Sequence, residues 1–453
     1  MKITLSNHLL LEDIPPFLYD MVIQKLRMEN PKWIENEKMG RWNHETPHFL
    51  EFYEKLPGKR LTLPRGYLRQ IITLSRQYKF DYELIDNRRC LPDISLQFTG
   101  KLRAFQQAAV DTMLPRHFGA LNAPTGSGKT VMAAYMIAAR SQPTLIVVHT
   151  RELGLQWINR LSEFLDISAD EIGFVGSGKK MIGPRITVAL VQTLYKCADE
   201  VAEKTGFLIV DECHRCPSRT FTEAVSRFDS RYMLGLSATP FRRDHLSKLI
   251  FLYLGDIHYQ VEKKDLVRSG DILAATVVQK STEFKPYFDP VREYSKMLSE
   301  LTTDDARNLL IAEDVARESS IPDRVCLVLS DRKHHCETLQ AILRYRFDVA
   351  SELLTGDIGN AERIQAVQHI QSGKTRVLIA TGQLVGEGFD CPGLSSLFLA
   401  TPIRFSGRVL QYIGRVLRSA PGKKQATIYD YMDVHVGVLE HAAQARMKIY
   451  NSF

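Results

Sequence analysis

The chain has 453 residues, with 59 Lys and Arg against 52 Asp and Glu, giving a net charge of +7. Its 44% hydrophobic and 25% charged residues describe an ordinary globular protein. No stretch is apolar for long enough to span a bilayer, and the opening MKITLSNHLLLEDIPPF turns acidic too early for a secretion signal, so a cytoplasmic protein is expected. The mild basic excess suits a phosphate-backbone partner without selecting one. Seven scattered cysteines with a single CxxC pair, Cys213 and Cys216, fall short of the four ligands a structural zinc needs. Free thiols and no structural metal are expected.

Residues 1–95 read as a small α+β accessory domain, with helical periodicity over 17–29 and 66–79 and with Trp33, Trp42, Tyr53 and Tyr67 set among prolines and charges. The segment 58–70 places Lys59, Arg60, Arg65 and Arg69 around Tyr67. Two readings stand. The aromatics form the domain's own core, since so small a unit needs large side chains to bury enough area. Alternatively, basic groups interleaved with rings bind DNA, Arg65 and Arg69 holding phosphates beside a stacked base or a branch point. On either reading a motor beginning near Leu96 is expected to survive without this segment.

From residue 118 onward, apolar runs of strand length alternate with helix-length segments, at 118–123, 144–149, 186–192, 207–212 and 232–239, then at 325–330, 376–381, 395–400 and 426–432. Continuously apolar strands between helices predict parallel sheets covered on both faces. A charged stretch over 279–307 separates the two series. The expected organisation is therefore an α/β domain over 96–278 and a second over 279–453.

The motifs lie at the predicted strand ends. APTGSGKT, 123–130, follows one strand and opens a helix, the context of a phosphate loop. Pro124, Thr125, Gly126, Ser127 and Gly128 would wrap backbone N–H groups around the phosphates of ATP, with Lys129 on the β/γ-phosphates and Thr130 on magnesium. In VDECH, 210–214, Asp211 can hold the metal and Glu212 can polarise the attacking water; His214 is either a satisfied core histidine or a coupling group. Ser237 and Thr239 of LSATP can hydrogen-bond His214 or the carboxylates. Gln106, ahead of the loop, can pair with the N6/N7 edge of adenine or lie on a helix surface. In QYIGRVLR, 411–418, Arg415 and Arg418 share a helix face and fit arginine fingers for the γ-phosphate.

In order, FQ, APTGSGKT, VVHTRELGLQW, VALVQTL, VDECH, LSATP, TGQLVGEGFD and QYIGRVLR resemble the superfamily 2 helicases over residues 102–418. TPFRRD, 239–244, and IGRVLR narrow the likeness to the DNA-directed branch that includes XPB and phage branch-migration helicases of the UvsW type, with a departure at Arg243, where the XPB pattern is acidic. The resemblance implies two tandem RecA-like domains with ATP and magnesium between them, and coupling by His214 and Gln411. Asp390 would meet the ribose or position an arginine. A nucleic-acid strand would contact His149, Thr150, Arg151, Gln192 and Thr193 on the first domain, and Thr355, Gly356, Thr381 and Gly382 on the second. The implied activity is a monomeric DNA helicase or translocase acting on single strands and branched duplexes. An RNA helicase, a duplex translocase that separates no strands, and a binding module with a decayed ATPase remain the alternatives.

Overall fold

In three strands near the start of the chain, Lys2–Leu5, His8–Glu12 and Arg60–Pro64, every second side chain is buried. That period of two buries one face of a sheet and leaves the other to solvent. In this computed structural model the strands lie in the order Glu54–Leu56, Arg60–Pro64, His8–Glu12, Lys2–Leu5, Glu83–Asp86, with only the last pair parallel. Leu18 and Val22 of helix Pro16–Lys25 and Ile71 and Leu74 of helix Leu68–Gln77 pack into the same apolar cluster as Ile3, Leu9, Leu11 and Leu61. The structure describes the whole chain except residues 216–218, 239–246, 271, 383–390, 392, 404–411, 415, 418–422, 424 and 451–453. Two compact units divide it, Met1–Ala123 with Gly128–Val261, and Pro124–Ser127 with Glu262–Phe453.

In the first unit an eight-stranded sheet runs Lys179–Met181, Gly173–Gly176, Ile186–Leu190, Thr144–Val148, Phe207–Val210, Tyr232–Ser237, Phe118–Asn122, Ile257–Gln260. Every pair is parallel except the first two strands, which form a hairpin. Thr144–Val148 and Phe207–Val210 are buried at every position, as strands flanked by helices on both faces must be.

Residues 1–95 do not stand apart from this sheet. Phe118 and Leu252 pack against the accessory domain's own core. A Cβ on Gly66 would fall 2.2 Å from the carbonyl oxygen of Phe251 and 2.6 Å from that of Leu252. Arg65, 2% exposed, donates from Nη1 to the carbonyls of Ser230 at 3.0 Å and Phe228 at 3.3 Å. The assignment of Arg65 to phosphate binding is thereby corrected: its guanidinium is buried against the neighbouring domain, with Nη1 on two backbone carbonyls, and has no path to a polyanion. Arg69 pairs with Asp256 at 2.9 Å, with most of its side chain exposed, so it too is engaged across this contact. Of the two readings of the aromatics, Tyr67 belongs to the core, whereas Trp42 is 86% exposed.

The second unit holds six parallel strands in the order Ala275–Thr282, Ala426–Asp433, Ser396–Leu399, Cys326–Ser330, Val377–Thr381, Ser351–Leu354. The boundary expected at 279 falls inside the first of these. Buried ion pairs brace the sheet. Arg307 donates to Asp433 at 2.8 Å and to the Ala400 carbonyl at 2.6 Å. Arg446 donates to Asp430 at 2.8 Å and so fastens helix Gly437–Tyr450 to the sheet. No helix among the described residues is long and apolar enough to cross a membrane.

Candidate nucleotide site and strand-contact loops

Three adjacent strands of the first sheet deliver the nucleotide motifs. Tyr232–Ser237 pairs on one side with Phe118–Asn122 and on the other with Phe207–Val210. Their carboxyl ends therefore bring the phosphate loop, Ser237 and the acidic pair to one edge, the place where parallel α/β sheets take ligands. Ala123 N–H donates to the Ser237 carbonyl at 2.8 Å, fixing the loop's root.

The loop's conformation follows from its glycines. Gly126 has φ +91° and Gly128 φ +75°, a region that costs residues with a Cβ. Gly128 caps helix Lys129–Arg140, which carries Thr130 in its first turn. Ser127 is buried and its hydroxyl donates to the Pro124 carbonyl at 2.7 Å, closing the turn that contains Thr125. Lys129 Nζ donates to the Ala123 carbonyl at 3.2 Å, so the ammonium spans the loop. Gln106 is buried against this turn: a Cβ on Gly128 would lie 2.5 Å from its Nε2. Its Oε1 accepts from the Arg103 backbone N–H at 3.0 Å. The Gln106 amide thus sits against the phosphate loop and braces the start of helix Ala104–Met113, so of its two readings the solvated helix surface is overturned.

At the next strand end, Asp211 is buried; Oδ1 accepts from the Glu212 N–H at 2.9 Å, and Oδ2 accepts from Trp157 Nε1 at 2.8 Å. Burial, then the adjacent Glu212 charge, push the Asp211 carboxyl above the usual carboxylate range, and Lys129 pulls against them. Glu212 has φ +47°, a left-handed backbone on a residue with a long side chain, the kind of strain that tight functional turns hold. Its Oε2 lies 3.2 Å from His214 Nδ1, and the same nitrogen lies 3.1 Å from Ser237 Oγ. Carboxylate, imidazole and hydroxyl therefore meet at one ring atom. Cys213 belongs to the apolar core, and burial pushes its thiol up. Cys216 lies outside the described residues, as do Thr239, Asp390, Gln411, Arg415 and Arg418.

These residues fit a magnesium–nucleotide. Glycine-opened N–H groups at a helix N-terminus suit phosphates. Two crowded carboxylates, one buried, are what a divalent cation would relieve, and Asp211 with Thr130 would hold it. Bound there, the metal would neutralise charge on the transferring phosphate.

A second group of residues lies at the same end of the sheet. Thr144–Val148 and Ile186–Leu190 are paired neighbours, and Gln192 Nε2 donates to the His149 carbonyl at 3.1 Å. The structure thereby brings His149, Thr150 and Arg151 beside Gln192 and Thr193. Thr150 caps helix Arg151–Leu165 by accepting from Leu153 N–H, while Arg151 and Gln192 are exposed. In the second unit Thr355 follows strand Ser351–Leu354, and Thr381 ends the neighbouring strand Val377–Thr381. Thr355 is buried, leaving Gly356 on the surface. Gly382 is buried and its carbonyl accepts from Tyr412 Oη at 2.6 Å. Sequence reasoning passed over Trp157 and Tyr412. The one available signal was an indole on the stripe Gly154, Trp157, Leu161, Leu165, because a buried indole N–H requires an acceptor.

A phosphate loop and an acidic pair on one parallel sheet, followed by a second parallel α/β domain, define a nucleotide-driven motor. Family models agree: residues 99–242 match the type III restriction enzyme res subunit, and residues 304–420 match the helicase conserved C-terminal domain. The chain belongs to the superfamily 2 helicases, as an ATP-dependent nucleic-acid helicase of two tandem RecA-like domains. It is 28% identical over 379 residues to the DNA 3'-5' translocase XPB2 of Sulfurisphaera tokodaii, covering 76% of this chain and 84% of that one. A protein of Acanthamoeba polyphaga mimivirus, L396, whose name describes an ATP-dependent RNA helicase, is 25% identical over 450 residues, 96% of this chain and 81% of its own. In fold, the chain is similar to S. cerevisiae Dbp5 bound to RNA and ADP BeF3, with a TM-score of 0.55 at 16% identity over 78% of this chain and 89% of that one.

Proposed function

We propose that the protein is a DNA helicase or translocase that moves along one strand, unwinds duplex DNA and drives branch migration at forks and recombination junctions. The observation that carries this is the shared sheet edge: the phosphate loop, the acidic pair and the loops holding His149–Arg151 and Gln192–Thr193 all leave carboxyl ends of neighbouring strands. A change in how the loop grips the γ-phosphate then has a short path to a strand held a few residues away. Magnesium is held by Thr130 and Asp211, Lys129 binds the β/γ-phosphates, Glu212 orients the water, and Arg415 and Arg418 stabilise the transferring phosphate. Backbone contacts of this type fix position without reading sequence. The net charge of +7 supports a polyanion partner, and the name of the XPB2 relative supports DNA.

The second reading, an RNA helicase, is favoured by the name of the mimivirus relative. ATP turnover with single-stranded DNA and with RNA of matched length separates the two; stimulation by RNA alone rejects the DNA reading. A panel of forks, three-way and four-way junctions, with and without ATP, then tests branch migration, which is rejected if forks and linear duplexes are opened while junctions are left untouched.

A further inference from the structure

Trp157 is 2% exposed and donates its one polar atom to Oδ2 of Asp211 at 2.8 Å. An indole present for packing alone needs only a carbonyl or water to satisfy its N–H. Here the acceptor is the carboxylate placed to hold the metal. The bond is charge-assisted and buried, which makes it strong and directional. Oδ1 of the same carboxylate accepts from the Glu212 N–H, so Asp211 is held by one donor from its own turn and one from a separate helix.

That helix, Arg151–Leu165, begins at the segment assigned above to the nucleic-acid strand, and Thr150 is its cap. From Arg151 to Trp157 is six residues, about 9 Å along a helix. The stripe Gly154, Trp157, Leu161 and Leu165 is buried along its length. Gly154 lies so close to the sheet that a Cβ would meet Phe174 at 3.0 Å. A helix seated this tightly moves as a body, so a shift imposed at Thr150 and Arg151 arrives at the indole.

We propose that Trp157 is a positioning residue that couples strand binding at residues 149–151 to the orientation of the Asp211 carboxylate. The proposal rests on the strand-contact reading of those residues. With a strand bound, the helix sets the indole, and the indole sets the carboxylate for its metal. Without one, the carboxylate is held less well and turnover is slow. Nucleic-acid stimulation of the ATPase then passes through this hydrogen bond. Because coupling of binding is reciprocal, loss of the bond also shrinks the effect of Mg·ATP on strand affinity.

The chain has three tryptophans, so Trp33→Phe with Trp42→Phe leaves Trp157 as the sole indole. That variant is titrated with oligothymidylate in the absence of nucleotide, reading tryptophan emission, while anisotropy of a labelled oligonucleotide follows binding independently. Trp157 emission should shift in step with binding. In the full chain, Trp157→Phe keeps the ring and removes the donor; DNA-stimulated kcat should fall about tenfold or more, the size of a lost bond to a charged group, with KM for ATP changed little. A purely structural tryptophan would instead lower stability and leave the stimulation ratio alone, and the emission titration keeps its meaning even if Trp157→Phe folds poorly. Binding of oligothymidylate with silent Trp157 emission overturns the proposal, as does wild-type stimulation in Trp157→Phe. Absence of any oligonucleotide binding overturns the strand reading and the proposal with it.

Discussion

Gly128 shows how one position can hold a site together. With φ +75°, any other residue pays roughly 1–2 kcal/mol for the left-handed backbone, and a methyl there would meet the Gln106 amide at 2.5 Å. Gly128→Ala should therefore push Gln106 off the loop, disturb the N–H cradle and weaken ATP binding by about tenfold; titration with a fluorescent ATP analogue checks it, and unchanged affinity would contradict the cradle. Glu212→Gln keeps the shape of a residue already held at φ +47° and removes its charge. It should bind ATP and lose turnover by about 10² or more, whereas Lys129→Ala should lose both; single-turnover hydrolysis separates them. Residues of this loop were legible in the sequence because glycines at fixed spacing dictate a backbone that few other contexts need. Arg65 was not. A guanidinium offers the same donors to a phosphate oxygen and to a peptide carbonyl, so basic residues among aromatics describe a DNA surface and a domain contact equally well. For Gln106 it was the solvated-surface alternative that failed, because an amide on an amphipathic helix can turn inward and brace the helix start.

Elements in the middle of the two sheets were legible almost to the residue. The run expected at 144–149 is strand Thr144–Val148, and that at 426–432 is Ala426–Asp433. Burial on both faces writes an unbroken apolar run into the sequence. Edge strands leave no such run: Ile257–Gln260 has no fully buried position and Ala275–Thr282 only its last, which is why neither was expected and why the domain boundary fell inside the latter. The C-terminal helix is held by chemistry that composition hides. Arg446 and Tyr450 both donate to Asp430, and Arg446 Nη1 also reaches the Ile403 carbonyl at 3.2 Å. Asp430→Asn leaves a buried guanidinium without its counter-charge and should destabilise the second domain by about 3–5 kcal/mol. Adding Arg446→Met should return part of that loss, since an apolar side chain needs no partner there. Urea denaturation reads both; an unshifted midpoint for Asp430→Asn would show that the pair does not hold the helix.

At the scale of the whole molecule, two consequences separate binding from architecture. A backbone-tracking groove releases counterions, so single-strand affinity should fall with salt at a log–log slope of roughly −0.7 per contacted phosphate; equilibrium anisotropy across a salt series measures it, and a flat response would contradict phosphate contact. Arg151→Ala should make the slope shallower by about one contact. Arg65→Ala should leave it unchanged, because that guanidinium faces carbonyls of Phe228 and Ser230. The accessory domain likewise keeps its own apolar core, but the first unit's sheet packs against it. Phe118, which starts the strand leading into the phosphate loop, packs against the accessory domain's cluster and lies under the Arg65 guanidinium at 5.1 Å from ring centroid to Cζ. A chain beginning at Leu96 strips this cover from Phe118 and Leu252 and leaves the Ser230 carbonyl without the Arg65 donor. The expectation that a motor would survive the truncation therefore reverses: the shortened chain should melt lower or aggregate, and its ATPase should fall with its folded fraction. Two point variants test the contact without removing the domain. Arg65→Ala deletes the donor, and Gly66→Ala drives a methyl against three backbone atoms of the segment Phe251–Gly255 that cannot move aside cheaply. Each should cost about 2–3 kcal/mol and lower the melting temperature of a single transition shared by residues 1–261, read by calorimetry. A low-temperature transition that moves while a separate ATPase-bearing one stays fixed would show instead that the accessory domain melts independently.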